Sequence, residues 1–191
     1  TVDFGVESDF YIDPSSHNEY LFCGSIEERK GLDELIDSFS KKASKGSLLH
    51  IVGDGPLKIH LLSKVAEQRL EQRVIFYGNI TDKPKLLDLY RRCSFSLSLR
   101  QAGLSVLQSF AFARPFVTYS NSITGGEREN IVDSENGFLL SEDNLFHSID
   151  DFFAHDFSKI ELTRLFLNAK KTYETSASPS NMVQSIYEAI K

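Results

Sequence analysis

Tryptophan is absent from this chain of 191 residues, methionine occurs once, and cysteine only twice. Two cysteines cannot build the disulfide framework of a small secreted domain. Cys23 and Cys93 each lie beside or inside an apolar run, so both are expected as small core residues of a protein in a reducing compartment. Basic residues are outnumbered, 21 to 27, giving a net charge of −6. That balance argues against a nucleic-acid binder, which concentrates positive charge on one surface. No apolar run approaches the length of a bilayer span, so no transmembrane segment is expected. The histidines, His17, His50, His60, His147 and His155, have no i,i+4 or HExxH spacing. No metal site is expected from them. A G-x-S-x-G elbow and the Lys-Ser/Thr pair of a P-loop are missing too, which removes acyl transfer and ATP hydrolysis of that type.

What is present is a soluble, globular composition, 41% hydrophobic, of a size that fits one well-buried domain over 1–191. Apolar runs fall at 20–24, 48–53, 74–78, 94–99, 115–119 and 137–140. Helical spacing separates them: Leu32, Leu35, Ile36 and Phe39; then Leu57, Leu61, Leu62, Val65 and Leu70; then Leu86, Leu87, Leu89 and Tyr90; then Leu104, Leu107, Gln108, Ala111 and Phe112. Strands that are apolar without alternation and alternate with helices predict a doubly wound, Rossmann-like parallel sheet of about six strands, with helices on both faces. Residues 1–19 read as irregular. From Leu145 onward the chain reads as helical, with a break at Ser176–Pro179, a cap from Ser178 or Ser180, and a terminal helix over 177–191.

The first three strands end on Gly24, Gly53 and Gly78, where ligand loops begin in such sheets. Gly53-Asp54-Gly55-Pro56 is a poor dinucleotide fingerprint, because its third glycine would fall at Lys58 and it follows the second strand. A tight turn into a helix is the favoured reading. Lys30 precedes the helix beginning at Leu32, where an ammonium can pair with a diphosphate. From Arg100 to Glu127 the chain reads as loop, helix, buried strand and a second glycine-rich loop. Gly103 lets the backbone approach a ligand, and the following amides face an anion. Glu127 and Glu129 follow Gly125-Gly126 and could open the next helix; for Glu127, capping and ligand contact are equally open.

Taken in order, YLFCGSIEERKGLDELIDSF, LLHIVGDGPLKIHL, RVIFYGNI, LLDLYRRCSFSLSL, AGLSVLQSFAFARPFVTYS and IVDSENGFLL resemble the carboxyl-terminal, donor-binding domain of a GT-B glycosyltransferase of family 4 (group 1). VDFGVESDFY resembles the segment that joins this domain to an amino-terminal acceptor domain. The resemblance implies the donor half of a retaining enzyme, inactive alone. Such an enzyme moves a hexose-type sugar from a nucleoside diphosphate to a polysaccharide or glycolipid acceptor, without a metal or other cofactor. It also implies a cytoplasmic protein that reaches the membrane surface through its other half, which is expected to precede Thr1.

By the same resemblance, Lys30 contacts the diphosphate, and the amides of Gly103, Leu104 and Ser105 hold it. Gly24 and Ser25 follow the first strand, with Ser25 where the family carries an arginine. Tyr77, Gly78 and Ile80 match the segment that brackets the base. The family's two glutamates, eight positions apart, fall on Arg100 and Gln108. Gln108 can still offer an amide oxygen to the ribose. Arg100 reverses the charge facing the sugar, which would suit a uronic acid donor. The alternative reading is a non-catalytic nucleotide-sugar-binding or assembly module that has lost the acidic residues.

Overall fold

The computed structural model describes residues 18–177. Residues 1–17 of the expected junction segment, the Ser178 or Ser180 cap and nearly all of the expected terminal helix lie outside the described residues.

Six parallel strands form one sheet: β1 Glu19–Cys23, β2 Leu48–Val52, β3 Val74–Gly78, β4 Phe95–Leu97, β5 Phe116–Tyr119 and β6 Gly137–Leu140. Their order across the sheet is β3-β2-β1-β4-β5-β6. Chain progression therefore reverses between β1 and β4, and the crevice outside the carboxyl ends of these two strands is where open α/β sheets bind ligands. The first strand opens at Glu19, so the irregular segment ends earlier than its sequence suggests.

Helices α1 Leu32–Lys42, α2 Lys58–Glu67, α3 Lys83–Arg92, α4 Ser105–Ala111, α5 Ile149–Ala154 and α6 Lys159–Thr172 cover both faces. Among the described residues, no helix is long and apolar enough to cross a membrane. In α1 the expected stripe is buried through Leu32, Leu35, Ile36 and Phe39. In α2 only Leu61 and Val65 are buried, whereas Leu62 faces solvent and Leu70 packs from beyond the helix end. Adjacent residues of one strand serve opposite layers. Tyr20 and Phe22 join the core with α1, α2 and α5, while Leu21 and Cys23 join Leu89 and Tyr90 of α3. This is why the strands show no polar alternation: neither face is wet.

The larger core is aromatic. Tyr20 meets Phe153 edge-to-face at 5.0 Å, and Phe95 meets Phe152 at 5.0 Å, arrangements that match ring edge to ring face. Under the other layer Arg114 is wholly buried. Its guanidinium donates to the carbonyls of Tyr90 at 2.6 Å, Ala113 at 3.1 Å and Arg91 at 3.0 Å, and lies 4.4 Å from the Phe166 ring centroid. It thus satisfies carbonyls at the end of α3 that the helix itself leaves open.

Among the described residues, the region from Leu145 onward opens with two separate helices, α5 and α6, rather than one continuous run. Ser148 with Asp151, and Ser158 with Glu161, form reciprocal capping boxes that start α5 and α6. Cys93 is buried, Cys23 partly so, and both are free thiols. Burial pushes the Cys23 thiol up to about 11.

Candidate functional site

At the end of β1 the backbone turns at Gly24 and Ser25 into a single 3-10 turn, Glu28–Lys30, closed by Gly31 in the left-handed region at φ +72°. The Gly53-Asp54-Gly55-Pro56 turn braces this corner through main chain. Ile26 N–H donates to Asp54 carbonyl at 2.9 Å, and Leu57 N–H to Ile26 carbonyl at 3.2 Å. A β-carbon on Gly55 would lie 2.4 Å from the Ile26 carbonyl oxygen. The turn is structural, as its spacing predicts.

Lys30 is half-buried, and its carbonyl accepts from Leu99 N–H at 3.2 Å, which ties the β1 corner to the end of β4. Burial, then the neighbouring Arg29, weakens its hold on its proton, while Glu27 and Glu127 oppose that shift. An anionic ligand would restore what burial removes. Arg29 is held by Glu27, Nε to Oε2 at 2.6 Å, and so is already engaged.

At the end of β4, Ala102 N–H donates to Ile123 carbonyl and Ile123 N–H to Arg100 carbonyl, both at 2.8 Å. This pairing sets the loop after β4 against the loop after β5. The next three amides, those of Gly103, Leu104 and Ser105, donate to nothing among the described residues. In these two loops and at the start of α4, Gln101 Oε1, Ser105 Oγ and Ser122 Oγ are buried atoms without a hydrogen-bond partner among the described residues. Buried polar atoms are seldom left so; among the described residues Gln68 Oε1, Tyr90 Oη and Ser96 Oγ, away from these loops, are the others. Gln108 follows one turn into α4, partly buried.

Arg100, which the resemblance sets facing the sugar, is engaged by a carboxylate of this domain. Its stem runs beside Gly31, and its guanidinium pairs with Glu34 in the first turn of α1, Nη2 to Oε2 at 3.1 Å. Tyr119 donates its hydroxyl to the other oxygen of Glu34 at 2.5 Å. Arg100 and Ile123 line both of two neighbouring clefts. One, of about 550 Å³, is completed by Glu27, Glu28, Arg29 and Pro56. The other, of about 400 Å³, is completed by Tyr119, Asn121 and Ser122.

Glu127 opens a 3-10 turn, Glu127–Asn130, not a full helix. Its carboxylate accepts from Gly125 N–H at 2.9 Å, while Thr124 Oγ1 accepts from the amides of Gly126 and Arg128. Arg128 closes the loop by donating to Ser122 carbonyl at 2.7 Å. The loop is therefore built around its own polar groups, yet it brings Glu127 close enough to act on the charge of Lys30.

Tyr77, Gly78 and Ile80, at and just beyond the end of β3, divide. Gly78 stays at the sheet edge, its carbonyl accepting from Gly53 N–H at 2.8 Å. Tyr77 and Ile80 pack in the layer under α3. The Tyr77 hydroxyl is within 2.9 Å of His50 Nδ1, and His50 Nε2 is 2.7 Å from Glu19, which also pairs with Arg92. Glu19, His50 and Cys93 thus present three metal-ligand atom types within 4.8 Å of one another. Arg92 already serves as the cation for Glu19, and burial holds the Cys93 thiol well above its ordinary range, in its neutral form.

Gly24, Ser25, Lys30, Arg100, Gly103, Leu104, Ser105 and Glu127 therefore share the carboxyl edge around the β1–β4 switch point, with Gly78 further along that edge. Glu34, Gln101, Tyr119 and Ser122 are site residues that sequence reasoning missed. Glu34 meets Arg100 and Tyr119 across sequence separations of 66 and 85 residues, a pairing that no local pattern encodes.

Solved structures share this architecture. A point mutant of S. aureus TarM, in complex with Fondaparinux, alpha-GlcNAc-glycerol and UDP, superposes with a TM-score of 0.78 at 19% identity over 98% of this chain and 37% of its own. Anabaena Alr3699/HepE, in complex with UDP-glucose, gives 0.73 at 19% identity over 93% of this chain and 49% of its own. The carboxyl-terminal domain of LpcC, a glycosyl transferase group 1 family protein of Francisella tularensis, gives 0.70 at 20% identity over 94% of this chain and 100% of its own. The chain spans 37% of the TarM structure and 49% of the HepE structure, and so corresponds to a part of those proteins. No curated protein sequence matches it significantly. A family model described as glycosyl transferases group 1 matches residues 17–154, from the start of the sheet through α5. With that match over most of its length, on a Rossmann-like sheet whose polar loops gather at the switch point, the chain belongs to the group 1 glycosyltransferases.

Proposed function

We propose that this domain binds the nucleoside diphosphate sugar of a retaining glycosyltransferase and presents the sugar to a saccharide or lipid-linked acceptor held by a separate amino-terminal domain. The observation that carries the reading is the convergence at one sheet edge of the half-buried Lys30 and three successive amides, Gly103 to Ser105, that donate to nothing among the described residues. Departure of the nucleoside diphosphate builds negative charge on the leaving phosphate. Lys30 and those amides would meet that charge where it develops, with no metal required. Gln108 lies one turn beyond, where its amide oxygen can accept from a ribose hydroxyl, and Gly78 offers main chain toward the base. The complexes of TarM with UDP and of HepE with UDP-glucose support a nucleotide-sugar ligand for this domain.

Calorimetry on the chain with UDP, GDP and their sugars tests this reading. Binding of a diphosphate nucleotide is expected, and Lys30→Ala should weaken it about tenfold or more while leaving nucleoside binding nearly unchanged. A folded domain that binds none of these ligands would sink the assignment. A second reading, a binding module without turnover, draws on the Arg100–Glu34 pair, which occupies the position where the resembling enzymes carry an acid. In the full-length protein, acceptor-dependent release of nucleoside diphosphate distinguishes the enzyme from the module.

A further inference from the structure

Glu34 is held from two sides by groups of other elements. Tyr119, the last residue of β5, donates to Oε1 at 2.5 Å, and Arg100 donates to Oε2 through Nε at 3.3 Å and Nη2 at 3.1 Å. Burial, then the bond to Glu34, raises the proton affinity of the Tyr119 hydroxyl far above its ordinary range, so it remains a donor at every physiological pH. Both Arg100 and Tyr119 line the smaller cleft, whose other lining residues, Asn121, Ser122 and Ile123, carry no charge. The side chain of Arg100 is 56% exposed and that of Glu34 30%. Arg100 thus faces the cleft, while Glu34 lines neither cleft and stands behind Arg100, partly exposed to solvent.

We infer that Glu34, Arg100 and Tyr119 form a charge-balanced specificity site that accepts a neutral, hydroxyl-bearing donor sugar and rejects the same sugar with a carboxylate. The inference rests on the donor-binding reading above and names the class of sugar. Arg100 by itself invites an acidic sugar, but its charge is already matched by Glu34. A guanidinium has five N–H donors and a carboxylate about four acceptor sites. After their mutual bonds and the bond from Tyr119, about three donors remain on Arg100, while the Glu34 carboxylate is nearly saturated. A sugar hydroxyl can accept from Arg100 without adding charge to the pair. A sugar carboxylate can only accept, adds a negative charge that Arg100 has already balanced with Glu34, and suffers repulsion from the Glu34 charge. Glu34 acts through Arg100 as a positioning residue, and Tyr119 holds it in place.

The test compares two donors that differ only at C6, UDP-glucose with UDP-glucuronate, or GDP-mannose with GDP-mannuronate if the domain prefers guanosine. Affinities are measured by calorimetry, and the readout is the ratio between the two donors within each protein. The wild-type chain should prefer the neutral donor by about tenfold or more. Glu34→Gln, which keeps the shape and removes the charge, should shrink that preference about tenfold or invert it. Arg100→Gln leaves the Glu34 charge unmatched and should enlarge the preference. Opposite movements from two neighbouring positions are not expected of a merely structural role. Arg100 is exposed enough that its variant folds whatever happens to Glu34→Gln, so the comparison with wild type stands on it alone. A wild-type preference for the carboxylate donor, or no movement of the ratio in Arg100→Gln, overturns the inference while leaving donor binding intact. Absence of any nucleotide binding in the wild type instead removes the parent reading.

Discussion

A β-carbon placed on Gly53 would lie 1.8 Å from the carbonyl oxygen of Gly24. The carboxyl ends of β1 and β2 therefore meet through bare backbone, and Gly53 holds φ +135°, which side-chain-bearing residues rarely adopt. Gly53→Ala is expected to cost ~3 kcal/mol or more in stability, read as a shift in the urea midpoint. Gly46→Ala is the control, since a β-carbon there meets nothing within 4 Å. Comparable losses at the two glycines would contradict the close approach.

Gly31 joins the Lys30 turn to α1 at φ +72°, and a β-carbon there would lie 3.0 Å from Arg100 Cγ and 3.1 Å from Leu99 Cβ. Gly31→Ala should cost about 1–3 kcal/mol from backbone strain and crowd Arg100 away from Glu34. Thermal unfolding monitored by circular dichroism reads the first effect. An unchanged midpoint would mean that the turn relaxes without strain.

Arg114 supports α3 from beneath by donating to three carbonyls, those of Tyr90, Arg91 and Ala113. Arg114→Leu is expected to destabilise the fold by about 3 kcal/mol or more, because it leaves buried carbonyls without donors. Arg114→Lys should recover little, since a single ammonium cannot span the three acceptors. Full recovery by lysine in a urea titration would show that charge, rather than fork geometry, matters there.

His50 is buried among Glu19, Tyr77, Arg92 and Cys93, and burial lowers its proton affinity below the ordinary histidine value despite the nearby Glu19. The unfolded chain then binds the extra proton more readily than the folded one. Stability from this source is present above about pH 6.5 and lost as pH falls through the lower folded value. Urea midpoints should fall between about pH 7.5 and 5.5, with a smaller fall in His50→Gln. An identical fall in both proteins would assign the effect to other groups.

Much of the fold is legible along the chain because a doubly covered parallel strand must be apolar on both sides. Each of the six strands overlaps an apolar run between Tyr20 and Leu140, and a glycine follows β1 and β2 and closes β3. The helix stripes were legible where burial is one-sided, as in α1. The capping boxes at Ser148 and Ser158 were legible signals passed over in a region read as one helical stretch.

For the site, the sequence determines the chemistry that hugs the backbone. Lys30 beside Gly31 and the run from Gly103 to Ser105 are local patterns, because a left-handed turn and free amides need only a few consecutive residues. Tertiary structure alone decides what faces those patterns. It turns Tyr77 toward His50, pairs Arg100 with Glu34 and sets Tyr119 on the same carboxylate. Charge compensation acts through space between elements that the sheet order brings together. The sign of an isolated residue such as Arg100 therefore says little until its partner from another element is known.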